Sequence, residues 1–182
     1  MSELPTARTD WDRITAISAV LIGLVAVVVA AYTALLQREQ IRAQVWPRLL
    51  LYNAGVAGEF HLANKGVGPA LIRSVRMTVD GRPVKHWGEV ARRLGVPDGE
   101  QLYSSLSSMV LAAGDDVTYL KPSTHERFVA IREHAGKRLR MDICYCSTLS
   151  ECWTTNNYGS SLDDVQREVD RCPAAGPDEF EN

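Results

Sequence analysis

Cysteine is the residue type that gives this sequence its clearest route to chemistry. The chain has four cysteines, three of them within nine residues and one nearer the end: Cys144, Cys146, Cys152 and Cys172. Thiols grouped in this way form disulfides, bind a soft metal ion, act as redox nucleophiles or stay reduced and unpaired. The sequence alone leaves these alternatives open.

The strand pattern around the cysteines indicates which of them can meet. A hairpin is predicted around residues 147–150, in a register that places two pairs opposite each other: Cys146 with Cys152, and Tyr145 with Trp153. Cys144 then shares the face of the cysteine pair, and a helix over residues 161–172 would carry Cys172 across that face. Two disulfides are therefore expected, Cys146–Cys152 and Cys144–Cys172.

Other constellations with a chemical signature are weak. The cysteine spacing, C-x-C-x5-C-x19-C, lacks the C-x2–4-C pairs of common zinc sites and contains no C-x-x-C redox motif. The loop NKGVGPA, residues 64–70, lacks phosphate-loop spacing, so its glycines are expected to be turn residues with positive φ. The histidines are scattered without metal-ligand spacing: His61, His86, His125 and His134. The sequence predicts no catalytic residue, no bound metal and no cofactor.

The elements that must position these residues begin with a membrane segment. Residues 14–36 have 19 of 23 positions from the apolar set, and no charged residue lies between Arg13 and Arg38. As a helix this stretch would be about 34 Å long, against a hydrocarbon core of roughly 30 Å. We expect an N-terminal tail (1–13), one transmembrane helix in the lipid bilayer (14–36) and a helical extension (37–46) that ends before Pro47.

A cleaved signal peptide is the competing interpretation, although the apolar run is long and acidic residues precede it. Two signals disagree on orientation. Two arginines before the span and three after it favour a cytoplasmic domain, whereas the expected disulfides favour the periplasm, the orientation we adopt. Small residues along one helical face predict a homodimer contact: Ala19, Gly23, Ala26 and Ala30.

After the helix, short alternating segments separated by Gly, Pro and Asp are typical of β-strands. Asp80-Gly81 predicts a tight hairpin, and a second hairpin is expected to join residues 109–111 to 117–120. Ser123 or Thr124 is expected to cap a helix over residues 125–134, and Ser161 the helix after the β-domain. The sequence predicts a mainly β fold with short accessory helices, divided into an immunoglobulin-like antiparallel β-sandwich (47–160), an amphipathic helix (161–172) and a disordered tail (173–182).

Three stretches carry a resemblance: YTALLQREQIRAQVWPRLLL, FHLANKGVGPALIRSVRM and DICYCSTLSECW. They resemble a group of small, uncharacterised bacterial membrane proteins that have one N-terminal span and a compact C-terminal β-domain. The resemblance implies this architecture and a location in the bacterial inner membrane. It implies no catalytic or binding residue, because none is assigned in that group.

The expected function follows from architecture more than from motifs. The formal net charge of −2 gives no basis for a nucleic-acid partner. We expect a single-pass, membrane-anchored binding or accessory module, not an enzyme, that contacts a protein partner near the bilayer. The alternative is a membrane-tethered thiol redox enzyme or sensor that uses Cys144, Cys146 and Cys152.

Overall fold

The computed structural model describes residues 8–97, 99–174 and 176–181. The chain divides into two compact units, which meet between Ala43 and Gln44. The first is a single helix, α1 (Arg8–Gln44), which is long and apolar enough to cross a membrane.

The predicted span 14–36 lies inside α1, but the flanking boundaries differ from the prediction. The helix begins at Arg8, within the predicted tail, whose residues 1–7 lie outside the described ones. It ends at Gln44, two residues before the predicted end of the extension. Pro47 disfavours helical geometry in Trp46, and the Trp46 carbonyl instead accepts hydrogen bonds from the backbone N–H groups of Val67 and Gly68.

The second unit is mainly β. In chain order its elements are β1 (Leu49–Ala54), β2 (Glu59–Asn64), β3 (Ala70–Val79), β4 (Arg82–Val84), α2 (Trp87–Leu94), β5 (Gln101–Tyr103), β6 (Val110–Leu111), β7 (Asp116–Pro122), α3 (His125–His134), β8 (Leu139–Cys146), β9 (Cys152–Asn156), α4 (Leu162–Val165) and β10 (Gln166–Val169). One antiparallel sheet has the strand order β1-β2-β7-β5. The other has the order β10-β9-β8-β3-β4, with β6 also paired to β3.

Both sheets contribute to one hydrophobic core, in which Leu62 and Leu120 of the first sheet join Ile143 of the second. The buried ring of Tyr145 also links the sheets: its hydroxyl accepts a hydrogen bond from Leu49 N, 3.4 Å away, and lies 2.7 Å from the Gln166 side-chain amide nitrogen that donates to it. Burial raises the pKa of Tyr145 to about 12, so the hydroxyl stays protonated. The prediction of a mainly β domain is confirmed.

Several local patterns are confirmed. Asp80 and Gly81 both have positive φ, 51° and 75°, as a tight hairpin between β3 and β4 requires. The Thr124 side chain caps α3 by accepting a hydrogen bond from the backbone N–H of Arg127. The register of β8 and β9 pairs Tyr145 with Trp153, as their placement on a common face predicts.

The second predicted hairpin is wrong. Residues 110–111 form β6, which pairs with β3 in one sheet, while residues 116–122 form β7, which pairs with β2 and β5 in the other. The turn residues between them are real, but they carry the chain from one sheet to the other. Local turn chemistry does not specify which strands pair, because that depends on edges supplied by distant segments.

The predicted amphipathic helix over residues 161–172 is also wrong. Ser161 caps a helix as expected, but that helix is one turn, Leu162–Val165, and the chain continues as β10 beside β9. Leu162, the first residue of the predicted apolar stripe, is 70% exposed, so a helix gains no apolar burial from it. The free edge of β9 offers backbone hydrogen bonds instead, which a short helix without a buried face cannot match.

The tail was expected to be disordered, and the described residues 179–181 contradict this. Phe180 N donates to Val75 O at 2.9 Å, and Glu181 N donates to Lys85 O at 2.9 Å. The Phe180 ring is buried edge-on against Trp87, with ring centroids 5.2 Å apart. One buried aromatic side chain and two backbone hydrogen bonds order a segment whose composition is typical of disorder.

The loop after β2 needs its glycines for a different reason than predicted. Gly66 and Gly68 are not among the residues with positive φ. A Cβ on Gly66 would overlap the backbone of Trp46 and Arg48, and one on Gly68 would overlap the backbone of Val45. These glycines therefore allow two chain segments to approach closely, and the expectation of positive-φ turn residues is wrong.

Candidate functional site

The β8–β9 hairpin and the segment after β10 bring the four cysteines together. Cys146 lies opposite Cys152 in the hairpin, and Cys144 lies two residues earlier on β8, on the same face. Cys172 follows β10, which pairs with the far side of β9. The sequence-derived positions thus converge, although a strand and not a helix delivers Cys172.

All four cysteines are in disulfides, in the two pairings expected from the sequence. Cys144 and Cys172 have Cα atoms 5.6 Å apart, and Cys146 and Cys152 have Cα atoms 4.0 Å apart. The two bonds are themselves in contact, because Cys146 Sγ lies 3.7 Å from Cys172 Sγ. They therefore form one cluster of four sulfur atoms.

One side of this cluster opens into a surface cavity of about 470 Å³. Its lining includes three of the cysteines, Cys146, Cys152 and Cys172, together with Arg73 and Arg171. Cys144 is not part of the lining; Cys144, Cys146 and Cys152 are all buried, at 3%, 6% and 5% exposed, and only Cys172 is half-buried. A molecule in the cavity therefore lies beside both disulfides, next to three of the four sulfurs.

The oxidation state determines what the cluster can do. The sulfur atoms of Cys146, Cys152 and Cys172 lie within 4.8 Å of one another, a spacing that also suits a metal ion. Metal ligation and nucleophilic attack both require thiolates, whereas disulfide sulfurs are neutral and lack a free anionic pair. In the oxidised form described here the cluster cross-links the domain, and chemistry begins only when one bond opens.

A second polar cluster lies across the first sheet, and no motif in the sequence indicates it. His61 on β2 has its Nδ1 2.8 Å from Asp116 Oδ1 and its Nε2 3.2 Å from Glu59 Oε2. Tyr52 stacks on the imidazole and donates a hydrogen bond to Asp116, while Lys121 donates to Glu59. His61 was predicted to be an isolated surface histidine, but it is paired on both sides.

The ionisation of the cluster follows from these contacts. Burial alone would raise the pKa of Asp116, but hydrogen bonds from Tyr52 and His61 outweigh it, and the pKa lies below its usual range. The hydrogen bond from Lys121 lowers the pKa of Glu59 in the same way. No pair spacing in the sequence reveals this cluster, because its members come from three strands; only the correct register of β1, β2 and β7 would have done so.

We expect Asp116→Asn to make the free energy of unfolding fall less steeply as the pH is lowered. A carboxylate whose pKa is depressed in the folded state stabilises fully above its unfolded pKa of about 4, and this contribution is lost as pH falls through the folded pKa. The variant should therefore lose on the order of 1 kcal/mol at neutral pH and much less at low pH. Thermal melts of the full chain in detergent between pH 3 and 7 measure this.

Asp163→Asn, at an exposed carboxylate in the first turn of α4, is the matched control, and its melting temperature should depend on pH as that of the wild type does. If the melting temperature of Asp116→Asn also depends on pH in this way, the hydrogen bonds from Tyr52 and His61 do not contribute to stability.

The small residues that predict helix association lie on an accessible face of α1. Ala19, Gly23, Ala26 and Ala30 all lie exposed on α1, and no atom lies within 4 Å of the Cβ that Gly23 lacks. A second helix is thus not sterically blocked there. Association through this face and a homodimer remain expectations.

Comparisons of this chain with protein-family models, curated proteins and solved structures found no match.

Proposed function

We propose that this chain is a single-pass, membrane-anchored binding module of the bacterial inner membrane, and not an enzyme. Its β domain lies in the periplasm and binds an extended segment of a protein partner along strand β1. The observation that carries the proposal is the open, uncharged edge of β1. The disulfides and the apolar helix support the compartment and the anchor.

The helix supplies the anchor. From Trp11 to Gln44 the helix is apolar enough and long enough to span a bilayer, and none of its most apolar window is buried. A 34-residue helix exposed in this way would be insoluble in water without lipid or a partner. Membrane insertion supplies the apolar surroundings that it needs.

The disulfides favour the periplasmic side. Together the two bonds use all four cysteines, and Cys144 is buried. Such bonds persist in oxidising compartments and are rare in the cytosol. This argument outweighs the single extra arginine after the helix, because positive-inside counts decide orientation only when the difference is large.

Among the described strands, the edges of the two sheets are not equally protected. Strands β4, β5 and β6 have two or three residues each, β4 contains Pro83, and β10 carries Arg167 and Glu168. Short length, proline and charge are the features that protect an edge from further pairing. Strand β1 has six residues, LLLYNA, with no charge and no proline.

Backbone groups of β1 point away from β2 into this open edge. Leu49 shows the direction, although its own outward groups are already used: its N–H donates to Tyr145 and its C=O accepts from Thr155, both on the other sheet. The open part of the edge therefore begins after Leu49. Backbone direction alternates along an antiparallel strand, so Leu51 and Asn53 present their N–H and C=O groups on the same side. An extended peptide would find these donors and acceptors already arranged for strand addition.

A photo-crosslinking experiment in cells tests the binding edge. A benzophenone amino acid at Leu50, which is 41% exposed on β1, is expected to give a discrete protein adduct, whereas the same group at Leu162 is not. Adding Asn53→Pro to the Leu50 probe should abolish the adduct. The proline removes an outward N–H but no hydrogen bond to β2, so the fold tolerates it.

An adduct that survives Asn53→Pro, or appears equally from Leu162, would contradict strand addition at β1. An adduct with a second copy of the chain would identify the partner as the protein itself.

Orientation is tested separately by labelling with maleimide-polyethylene glycol. We expect no labelling of intact spheroplasts without a reductant, and labelling of the same spheroplasts with a reductant that does not cross the membrane. Thiols that label without reductant, and only after the membrane is opened, would place the domain in the cytoplasm and remove the periplasmic assignment.

We propose the finer fold assignment, an immunoglobulin-like β-sandwich, on the basis of the shared core of the two antiparallel sheets. An experimental structure with a matching strand order would test it. The alternative function, a membrane-tethered thiol redox enzyme or sensor, is favoured by one observation, the contact of 3.7 Å between the sulfurs of Cys146 and Cys172 beside an open cavity.

A further inference from the structure

We propose that the cavity beside the sulfur cluster is a thiol-exchange site. An incoming thiol breaks the Cys146–Cys152 disulfide, and the Cys146 thiolate that is released then breaks the Cys144–Cys172 disulfide. The inference deepens the alternative redox function and is independent of the β1 edge. It rests on the contact between Cys146 and Cys172, on the cavity that exposes it and on the two arginines in the cavity wall.

The first step takes place in the cavity. A small anionic thiol, entering as its thiolate, attacks Cys152 Sγ; a bond forms between the two sulfurs, the Cys146–Cys152 bond breaks, and the electron pair leaves on Cys146 Sγ. Arg73 and Arg171 line the same cavity, with Asp170 as the one carboxylate in its wall. Their excess positive charge attracts an anionic thiol and stabilises the thiolates that take part.

The second step uses the contact between the two bonds. The Cys146 thiolate formed in this way lies 3.7 Å from Cys172 Sγ, about the distance of sulfur van der Waals contact, so the attacking and attacked sulfurs are already neighbours. A Cys146–Cys172 bond forms, the Cys144–Cys172 bond breaks, and the electron pair leaves on Cys144. One thiol has been consumed and one produced, so no further reductant or oxidant is required.

The exchange changes the residue of β8 to which the C-terminal segment is cross-linked. Cys172 moves from Cys144 to Cys146, two positions along β8, while the freed Cys144 lies outside the lining of the cavity. The segment between β10 and the packed residue Phe180 has to follow this shift. A thiol signal at the surface is thereby converted into a changed position of the C-terminal segment.

Cys152→Ser tests the second step, because it leaves Cys146 as a free thiol beside an intact Cys144–Cys172 bond. The full chain, purified in detergent, is incubated near pH 8, acidified to stop the exchange, unfolded in urea and alkylated with a maleimide, so that buried thiols are labelled too. Trypsin cleaves before Cys172 and chymotrypsin cleaves after Tyr145, so mass spectrometry separates label on Cys144 from label on Cys146. We expect roughly half of the label on Cys144, since both thiols and both disulfides are of the same chemical type.

Cys146→Ser is the matched control, in which Cys152 is the free thiol and the label should remain there. Label that stays entirely on Cys146 in Cys152→Ser would overturn the proposal, and so would equal exchange in the control variant.

A wild-type measurement keeps the proposal testable if either variant fails to fold. The full chain is treated with an equimolar amount of reduced glutathione as the anionic thiol and is mapped in the same way. We expect glutathione on Cys152 and alkylation divided about equally between Cys144 and Cys146, as in Cys152→Ser. Alkylation on Cys146 alone, or glutathione on Cys146 with alkylation on Cys152, would show that the exchange does not pass between the two bonds.

Discussion

Asn64→Leu is expected to lower the free energy of unfolding by about 3–5 kcal/mol, because it leaves several buried backbone groups without hydrogen bonds. Asn64 is completely buried at the end of β2. Its Oδ1 accepts from the backbone N–H groups of Arg48 and Gly66, at 3.1 and 3.0 Å. Its Nδ2 donates to the carbonyls of Gly68 and Leu111, at 2.8 and 3.1 Å.

Leucine fills the same space but satisfies none of these partners, and the loop that they shape holds the chain leaving α1 against the sheet. Urea unfolding of the full chain in detergent, followed by tryptophan fluorescence, measures the effect. Asn53→Leu, at an exposed asparagine on the neighbouring strand β1, is the control and should change stability by less than about 0.5 kcal/mol. A loss below about 1 kcal/mol for Asn64→Leu would mean that water replaces the side chain.

Asn64→Asp separates hydrogen bonding from shape. Aspartate keeps the acceptor for Arg48 and Gly66 but turns a carboxylate oxygen toward the carbonyls of Gly68, Leu111 and Ala112, which had received donors. Because a buried charge against acceptors is worse than an apolar group, we expect this variant to be at least as destabilised as Asn64→Leu. Full stability of Asn64→Asp would show that the donors to these carbonyls are dispensable.

Elements that depend on local pattern could be predicted from the sequence. The apolar run in α1, the cap at Thr124 and the turn at Asp80-Gly81 are each encoded by adjacent residues. The Tyr145–Trp153 register also followed from sequence, because slipping by one residue would move both rings to the other face.

Elements that depend on distant edges could not be predicted. Strand β10 exists because β9 has a free edge, and residues 179–181 are ordered because β3 has unpaired backbone groups between β6 and β4. The cluster around His61 has the same origin, since Asp116 reaches it from a strand more than fifty residues away. The sequence shows the turn residues near these segments, but it does not show which strand edge each segment pairs with.

The candidate site was predictable to the extent that it is a hairpin. Cys144, Cys146 and Cys152 could be placed on one face by strand alternation alone. Cys172 could be assigned as the remaining partner, but the strand that delivers it, the cavity beside it and the contact of 3.7 Å between the two disulfides all require the fold.

The double substitution Cys144→Ala with Cys172→Ala should strongly lower the free energy of unfolding. The bond spans a sequence separation of 28, for which the chain-entropy model gives about 3–4 kcal/mol. This is a large fraction of the roughly 5–15 kcal/mol by which a domain is stable. The bond also attaches the chain between β10 and the packed residue Phe180 to the centre of β8, so its loss should free both segments.

The matched control is Cys146→Ala with Cys152→Ala, which removes a bond of sequence separation 6 and should cost only about 2 kcal/mol in the same model. Urea unfolding of both double variants and the wild type, all in detergent without reductant, gives the comparison. Amide hydrogen exchange adds a second criterion: only the loss of Cys144–Cys172 should expose the N–H groups of β10 and of Phe180 to rapid exchange. Equal destabilisation by the two double variants would mean that loop length does not set the stabilisation here, and that contact between the two disulfides makes them act as a single cross-link.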